Sequence, residues 1–334
     1  MGKRELFIFL FFSVTYTTRF FSQTTPIYKA FKHFQIKIEN DTVNYDIYSN
    51  KKLDQVRKII FFAQGSGPSP MFLTKMFNNV EKVKSNIPFE MDKIPNDYAL
   101  VLISKKCVPF VAKFDEYQPK KCYFENESLD YRVWQNKVVM NEVVQMISPK
   151  PDVIIGLGHS EGSNVIAKLG VNNKHLTHIG FFAGSGTIQY YDFALFIQKE
   201  FDEGKINDET ASIKLNNLFN QIADINANPN SIEKYWLGNT YKRWFNFSES
   251  SVDNLLKIDI PIFVAVGAKD ESVSAESSLL IPINFLKKGK NNLTYKIYPY
   301  YDHSFNKLSN NEKESAKSEW MSVFTEFLNW SEKK

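Results

Sequence analysis

The sequence predicts an α/β fold, with a mostly parallel central sheet, helices on both faces and a helical cap insertion. Three observations carry this. The runs 58–63, 98–104, 153–157, 178–183 and 261–266 are largely apolar, without the polar alternation of a half-exposed strand, as expected of strands buried on both faces. Helical patterns separate several of them, the clearest at 129–147. Finally, Val153 to Leu157 breaks into Gly158-His159-Ser160-Glu161-Gly162 and then into a helical pattern with Val165, Ile166 and Leu169 on one face.

In chain order, the first element is a leader. Lys3 and Arg4 precede the apolar stretch from Leu6 to Val14, which reads as a secretory signal peptide over 1–23, cleaved near Ser22 or Gln23. The stretch is too short to span a bilayer, so no stable membrane span is expected once it is removed. The expected location is secreted or periplasmic, with an uncleaved N-terminal membrane anchor as the alternative.

Gln35 to Ile38 and Val43 to Tyr48 alternate as two antiparallel strands joined near Asn40-Asp41. A buried strand at 58–63 runs into the glycine- and proline-rich loop 64–70. A polar stretch precedes the next strand, 98–104. Residues 105–128 read as an irregular excursion. The helix over 129–147 carries Met140, Val143, Val144 and Ile147 on one face, and Pro149 and Pro151 end it.

After the serine strand and its helix come the strand 178–183 and a closing Gly184-Ser185-Gly186. Residues 188–255 show helical periodicity, many aromatics and no convincing strand. They read as a helical cap, with 24–187 and 256–334 as the core. The βα order resumes with the strand 261–266, a helix near 275–287 and the strand 294–298. A last helix presents Trp320, Val323, Phe324 and Phe327 on one face. A chain of 334 residues, 43% hydrophobic, suits one large domain with an insertion.

The charges exclude other classes. Forty-one basic and 37 acidic residues are well mixed, so no nucleic-acid partner is implied. No Cys-x-x-Cys or His-Glu-x-x-His spacing occurs, and neither a metal nor a cofactor is expected. The two cysteines, Cys107 and Cys122, form an even pair in a chain read as exported and are candidates for a disulfide.

The chemistry centres on Ser160. A serine on a strained strand-to-helix turn lifts its hydroxyl clear of the sheet, and Gly158 and Gly162 keep the flanks small. The following helix aims its N-terminal amides and positive dipole end at any oxyanion formed there. A serine hydroxyl needs a base. Of the five histidines, His303 alone lies in a late strand-end loop. Asp270, after the strand 261–266, is the leading acid. Its rivals are Asp302, badly aimed because it adjoins the histidine, and Glu271.

The order Ser160, Asp270, His303, with Gly267-x-x-Asp270-x-x-Val273 and Asp302-His303-Ser304-Phe305, resembles the α/β-hydrolase family over roughly 35–332. Two positions depart from that pattern: Gln64-Gly65 stands where many members have His-Gly, and Glu271 where proline often follows the acid. The resemblance implies an oxyanion hole formed by the amides of Glu161 and Ser66. The Glu161 side chain reads as a rim or structural carboxylate.

The expected activity is a secreted serine hydrolase acting on a small-molecule ester, thioester or amide, or a short peptide, through an acyl-enzyme. Carboxylesterase-like action is favoured over aminopeptidase-like action. A non-catalytic binding protein on the same fold is the competing class. The cap is expected to roof the pocket; its aromatics read as ordinary cap packing before a substrate box, and Trp236 and Trp244 either bear on which substrates reach the serine or only hold the cap together.

Overall fold

The computed structural model describes residues 26–147, 150–309 and 316–333. The proposed leader, residues 1–23, lies outside the described residues.

The chain begins with an antiparallel pair, β1 (Lys32–Ile38) and β2 (Asp41–Ser49), as its alternation predicts. Then come β3 (Lys58–Ala63), β4 (Phe72–Phe77), β5 (Val80–Ser85), β6 (Tyr98–Ile103) and β7 (Val111–Lys113). The helices α1 (Lys121–Asn126) and α2 (Leu129–Met146) lead to β8 (Val153–His159), α3 (Glu161–Gly170) and β9 (His178–Phe182). The segment 188–255, read above as the cap, holds α4 (Gln189–Asp202), α5 (Asp208–Ala227), the pair β10 (Tyr235–Trp236) and β11 (Asn239–Thr240), α6 (Tyr241–Asn246) and α7 (Ser251–Leu255). The chain closes with β12 (Ile262–Gly267), α8 (Ala275–Ser278), α9 (Leu280–Lys287), β13 (Leu293–Tyr298) and α10 (Trp320–Ser331).

Among the described residues, the central sheet has eight strands in the order β1-β2-β6-β3-β8-β9-β12-β13. From β6 to β13 every neighbouring pair is parallel; only the β1–β2–β6 edge is antiparallel. The apolar runs are explained by burial on both faces. In β3, Ile59 and Phe61 join the cluster under α2, α3 and α9, while Ile60 and Phe62 join the cluster under α10. β12 divides the same way, Val264 to one side and Phe263 to the other. The predicted face of α10 is buried in full.

Three expectations are corrected. The polar stretch before β6 holds two strands, and the excursion 105–128 is irregular only in part: β5, β4 and β7 form a small separate sheet, and α1 follows. β4 and β5 are joined by Asn78-Asn79, both at positive φ, which is the two-residue turn that matches strand twist. The cap carries the short β10–β11 hairpin beside its helices. The helix expected over 275–287 is divided into α8 and α9, because Pro282 has no N–H to offer the Ser278 carbonyl.

Cys107 and Cys122 form a disulfide, with Cα atoms 6.1 Å apart. No helix among the described residues is long and apolar enough to cross a membrane.

Candidate active site

β8 and α3 meet at Ser160, which has φ +56° and ψ −127°, a conformation side-chain-bearing residues rarely adopt. Close packing forces the neighbours to be glycine. A Cβ on Gly158 would lie 2.3 Å from the Gly162 carbonyl oxygen, and one on Gly162 would lie 1.9 Å from that of Ala63. The turn is also tied to β9, since Ser160 N–H donates to the Phe182 carbonyl at 2.9 Å and the Ser163 hydroxyl donates to the same carbonyl at 2.8 Å.

Asp270 and His303 come from the loops after β12 and β13. His303 Nδ1 lies 2.7 Å from Asp270 Oδ2, and both side chains are buried. A carboxylate can only accept, so Nδ1 carries the proton and Nε2 is left as an acceptor. The other Asp270 oxygen accepts the amides of Ser272 and Val273 at 2.7 and 2.8 Å, which fixes the carboxylate. Burial lowers the His303 pKa, but the Asp270 carboxylate outweighs it and the net shift is upward. Of the rival acids, Asp302 caps its own turn by accepting from the Ser304 and Asn306 amides, and Glu271 is exposed.

His159 is buried with its Nε2 2.8 Å from the His303 carbonyl oxygen, and its ring packs against those of His303 and Trp320. Burial, and then the neighbouring His303, push its pKa down to about 3, so it stays neutral and holds the His303 backbone.

A cavity open to solvent contains Ser160 with Ser66, Glu161, Asn164, Ser185, Gln189, Arg243, Phe247 and Val273. Ser66 and Glu161, expected to supply oxyanion amides, thus border the same space as Ser160. Gly65 is equally close: a Cβ there would lie 3.3 Å from Ser160 Cβ. Trp236 and Trp244 do not line this cavity. They pack with each other and with Tyr190 and Phe193 inside the cap, and the Trp244 indole N–H donates to the Trp236 carbonyl at 2.7 Å.

Several side chains from distant segments surround the site, and the Glu161 carboxylate is structural. The Glu161 carboxylate is buried between two guanidiniums, with Arg132 of α2 at 2.7 Å and Arg243 of α6 at 2.7 Å. Burial alone would raise its pKa, but Arg243 and Arg132 outweigh burial and keep it ionised. Lys105, buried just after β6, donates to the carbonyls of Gly65 and Gly67. Its position at a strand's carboxyl end is the one available clue. Asp192 of α4 is fully buried and accepts from the Ser277 hydroxyl at 2.5 Å; burial pushes its pKa up to about 7.

Solved structures similar to this chain include an acylaminoacyl peptidase from Pyrococcus horikoshii, with TM-score 0.55 and 13% identity over 90% of this chain and 41% of that one. A Klebsiella pneumoniae protein described as a dienelactone hydrolase gives 0.52 and 12%, covering 91% of this chain and 98% of that one. The chain has the α/β-hydrolase fold. A third similar structure, dipeptidyl peptidase 4 from Porphyromonas gingivalis, gives 0.54 and 11%, with 91% of this chain and 35% of that one covered. The chain therefore spans between about a third and two fifths of the peptidases it matches. The Dienelactone hydrolase family model matches residues 235–331, which include Asp270 and His303. No curated protein sequence matches the chain.

Proposed function

We propose that the protein is a serine hydrolase that cleaves an ester, thioester or amide through an acyl-enzyme, with carboxylesterase-like action favoured. The observation that carries this reading is the buried His303–Asp270 pair, 2.7 Å apart, in the loops after β12 and β13 of the sheet whose β8 ends at Ser160. In an α/β sheet, ligands bind beyond the carboxyl ends of the strands, and these residues lie at such ends.

In the proposed reaction, the Ser160 hydroxyl attacks the substrate carbonyl while His303 Nε2 takes its proton. Asp270 holds the imidazole tautomer and stabilises the cation that forms. The oxyanion accepts from the backbone amides of Glu161 and Ser66. His303 then returns the proton to the leaving group, and water resolves the acyl-serine by the reverse sequence. The match to the Dienelactone hydrolase model supports ester cleavage. The peptidase names among the similar structures leave amide cleavage as the second reading.

Labelling with a fluorophosphonate tests the reaction class. Wild type should react at Ser160 and Ser160→Ala should not. An unlabelled wild type would favour a binding protein on this fold.

Export to the exterior or the periplasm is the accompanying proposal, supported by the basic and then apolar start of the sequence. N-terminal sequencing of exported protein should find a new terminus near Ser22 or Gln23, whereas an intact leader on membranes would mark an anchor.

A further inference from the structure

The loop 64–70 presents an unusual set of bonds. The Gln64 carbonyl accepts from Arg132 at 2.7 Å and the Pro68 carbonyl from the Tyr117 hydroxyl at 2.6 Å. The Ser69 carbonyl accepts from the Gln64 amide at 3.1 Å and the Pro70 carbonyl from Asn86 at 2.7 Å. Between them, the Lys105 ammonium reaches the Gly65 carbonyl at 2.6 Å and the Gly67 carbonyl at 2.5 Å. Side chains thus hold the loop through its oxygens on both sides of Ser66.

We propose that Lys105 is a positioning residue for the hydrolysis, acting by fixing the Gly65–Ser66 peptide so that the Ser66 N–H faces the oxyanion at Ser160. This inference rests on the serine-hydrolase reading. In a planar trans peptide the C=O and N–H point in opposite directions. Gripping the Gly65 oxygen from behind therefore directs the Ser66 hydrogen to the other side of the plane. The neighbourhood suits that direction, because Gly65 abuts Ser160 and Ser66 borders the same cavity. An ammonium suits this role because it has three donors and no acceptor, so one atom can hold two carbonyls.

Lys105 is buried, and among the described residues it makes no direct ion pair. Burial, and then Arg132, push its pKa down to about 7, so its position is costly, and costly positions cluster at functional sites. The disulfide supports the same arrangement. Cys107 lies two residues after Lys105, and its bond to Cys122 closes a loop that also contains Tyr117. Two of the loop's holders therefore come from one covalently closed segment and the residues just before it.

The test uses the full chain, wild type and Lys105→Met, with each rate divided by the number of Ser160 sites titrated by a fluorophosphonate. With a p-nitrophenyl ester, kcat should fall about 10²- to 10³-fold while KM stays within about threefold, as when an oxyanion donor is lost. Affinity for a trifluoromethyl ketone, which forms a tetrahedral adduct, should weaken in parallel with kcat. A kcat per titrated site within about threefold of wild type, or unchanged affinity for the ketone, overturns the proposal. If Lys105→Met does not fold, Lys105→Gln is read in the same assay. Failure of both to fold assigns Lys105 to the core and overturns the proposal as well. Absence of labelling in wild type is a failure of the hydrolase reading itself, and is seen before any variant is made.

Discussion

Glu161, the residue after Ser160, shares its buried carboxylate with Arg243 of the insertion, Nε to Oε2 at 2.7 Å, with the two side chains 3% and 4% exposed. The nucleophile turn and the cap are thus latched by one ion pair, and Arg243 also holds Gln189 at the cavity edge. Removing one member of a buried pair leaves an uncompensated charge, which costs more than the intact pair contributes.

Arg243→Met should therefore lower stability by about 3 kcal/mol, the lower end of the usual range because Arg132 still neutralises Glu161. Chemical denaturation measures this. The double variant with Glu161→Gln should lose more still, because the buried Arg132 is then left without its carboxylate. A cost below about 0.5 kcal/mol for Arg243→Met would mean that solvent reaches the pair.

The pH dependence follows from His303. Its pKa is raised because Asp270 outweighs the lowering effect of burial. A general base works only when neutral, so the rise in kcat/KM with pH should have its midpoint above the ordinary imidazole value of about 6.5. Asp270→Asn should move that midpoint down and reduce kcat by roughly 10⁴-fold. The same attraction stabilises the fold below the unfolded value and is lost as pH rises through the folded one. A wild-type midpoint well below 6.5 would contradict the pairing.

Cap packing and substrate choice separate cleanly. Trp244 belongs to the cap's own aromatic cluster, so Trp244→Ala should lower the melting temperature, by about 3 to 5 kcal/mol of stability, and reduce activity on all esters alike. Phe247 lines the cavity, so Phe247→Ala should change the ratio of kcat/KM between long and short acyl chains. Assay of a graded ester series decides between the two roles for each residue.

Breaking the Cys107–Cys122 bond with serine at both positions should cost about 3 kcal/mol, the chain-entropy value for a loop of this size. Urea titration of oxidised and variant protein measures it, and non-reducing mass spectrometry should find the linked peptides. Freely alkylatable thiols in protein purified without reductant would contradict the bond.

The parts of this molecule legible in the sequence are those whose signals are local. Strands such as β3 and β8 announce themselves because burial on both faces demands uninterrupted apolar residues, and Gly158 and Gly162 because the turn admits no side chain. β4 and β5 escape notice because half-exposed strands rich in lysine blur the alternation; the Asn78-Asn79 turn is the remaining clue. Lys105, Arg132 and Arg243 read as ordinary surface charges. They come from distant segments, and only folding brings them to Glu161 and the loop 64–70. For the two tryptophans, composition leaves a pocket roof and plain cap packing open, and the cluster with Tyr190 and Phe193 decides for packing.

The proposed reaction passes through an acyl-enzyme on Ser160. Mass spectrometry of protein quenched in acid during turnover of a p-nitrophenyl ester tests it most directly. The peptide containing Ser160 should gain the mass of the acyl group, and the adduct should be absent from Ser160→Ala and from His303→Ala on the same timescale. Turnover without an adduct on that peptide, or an undiminished rate in Ser160→Ala, would contradict it.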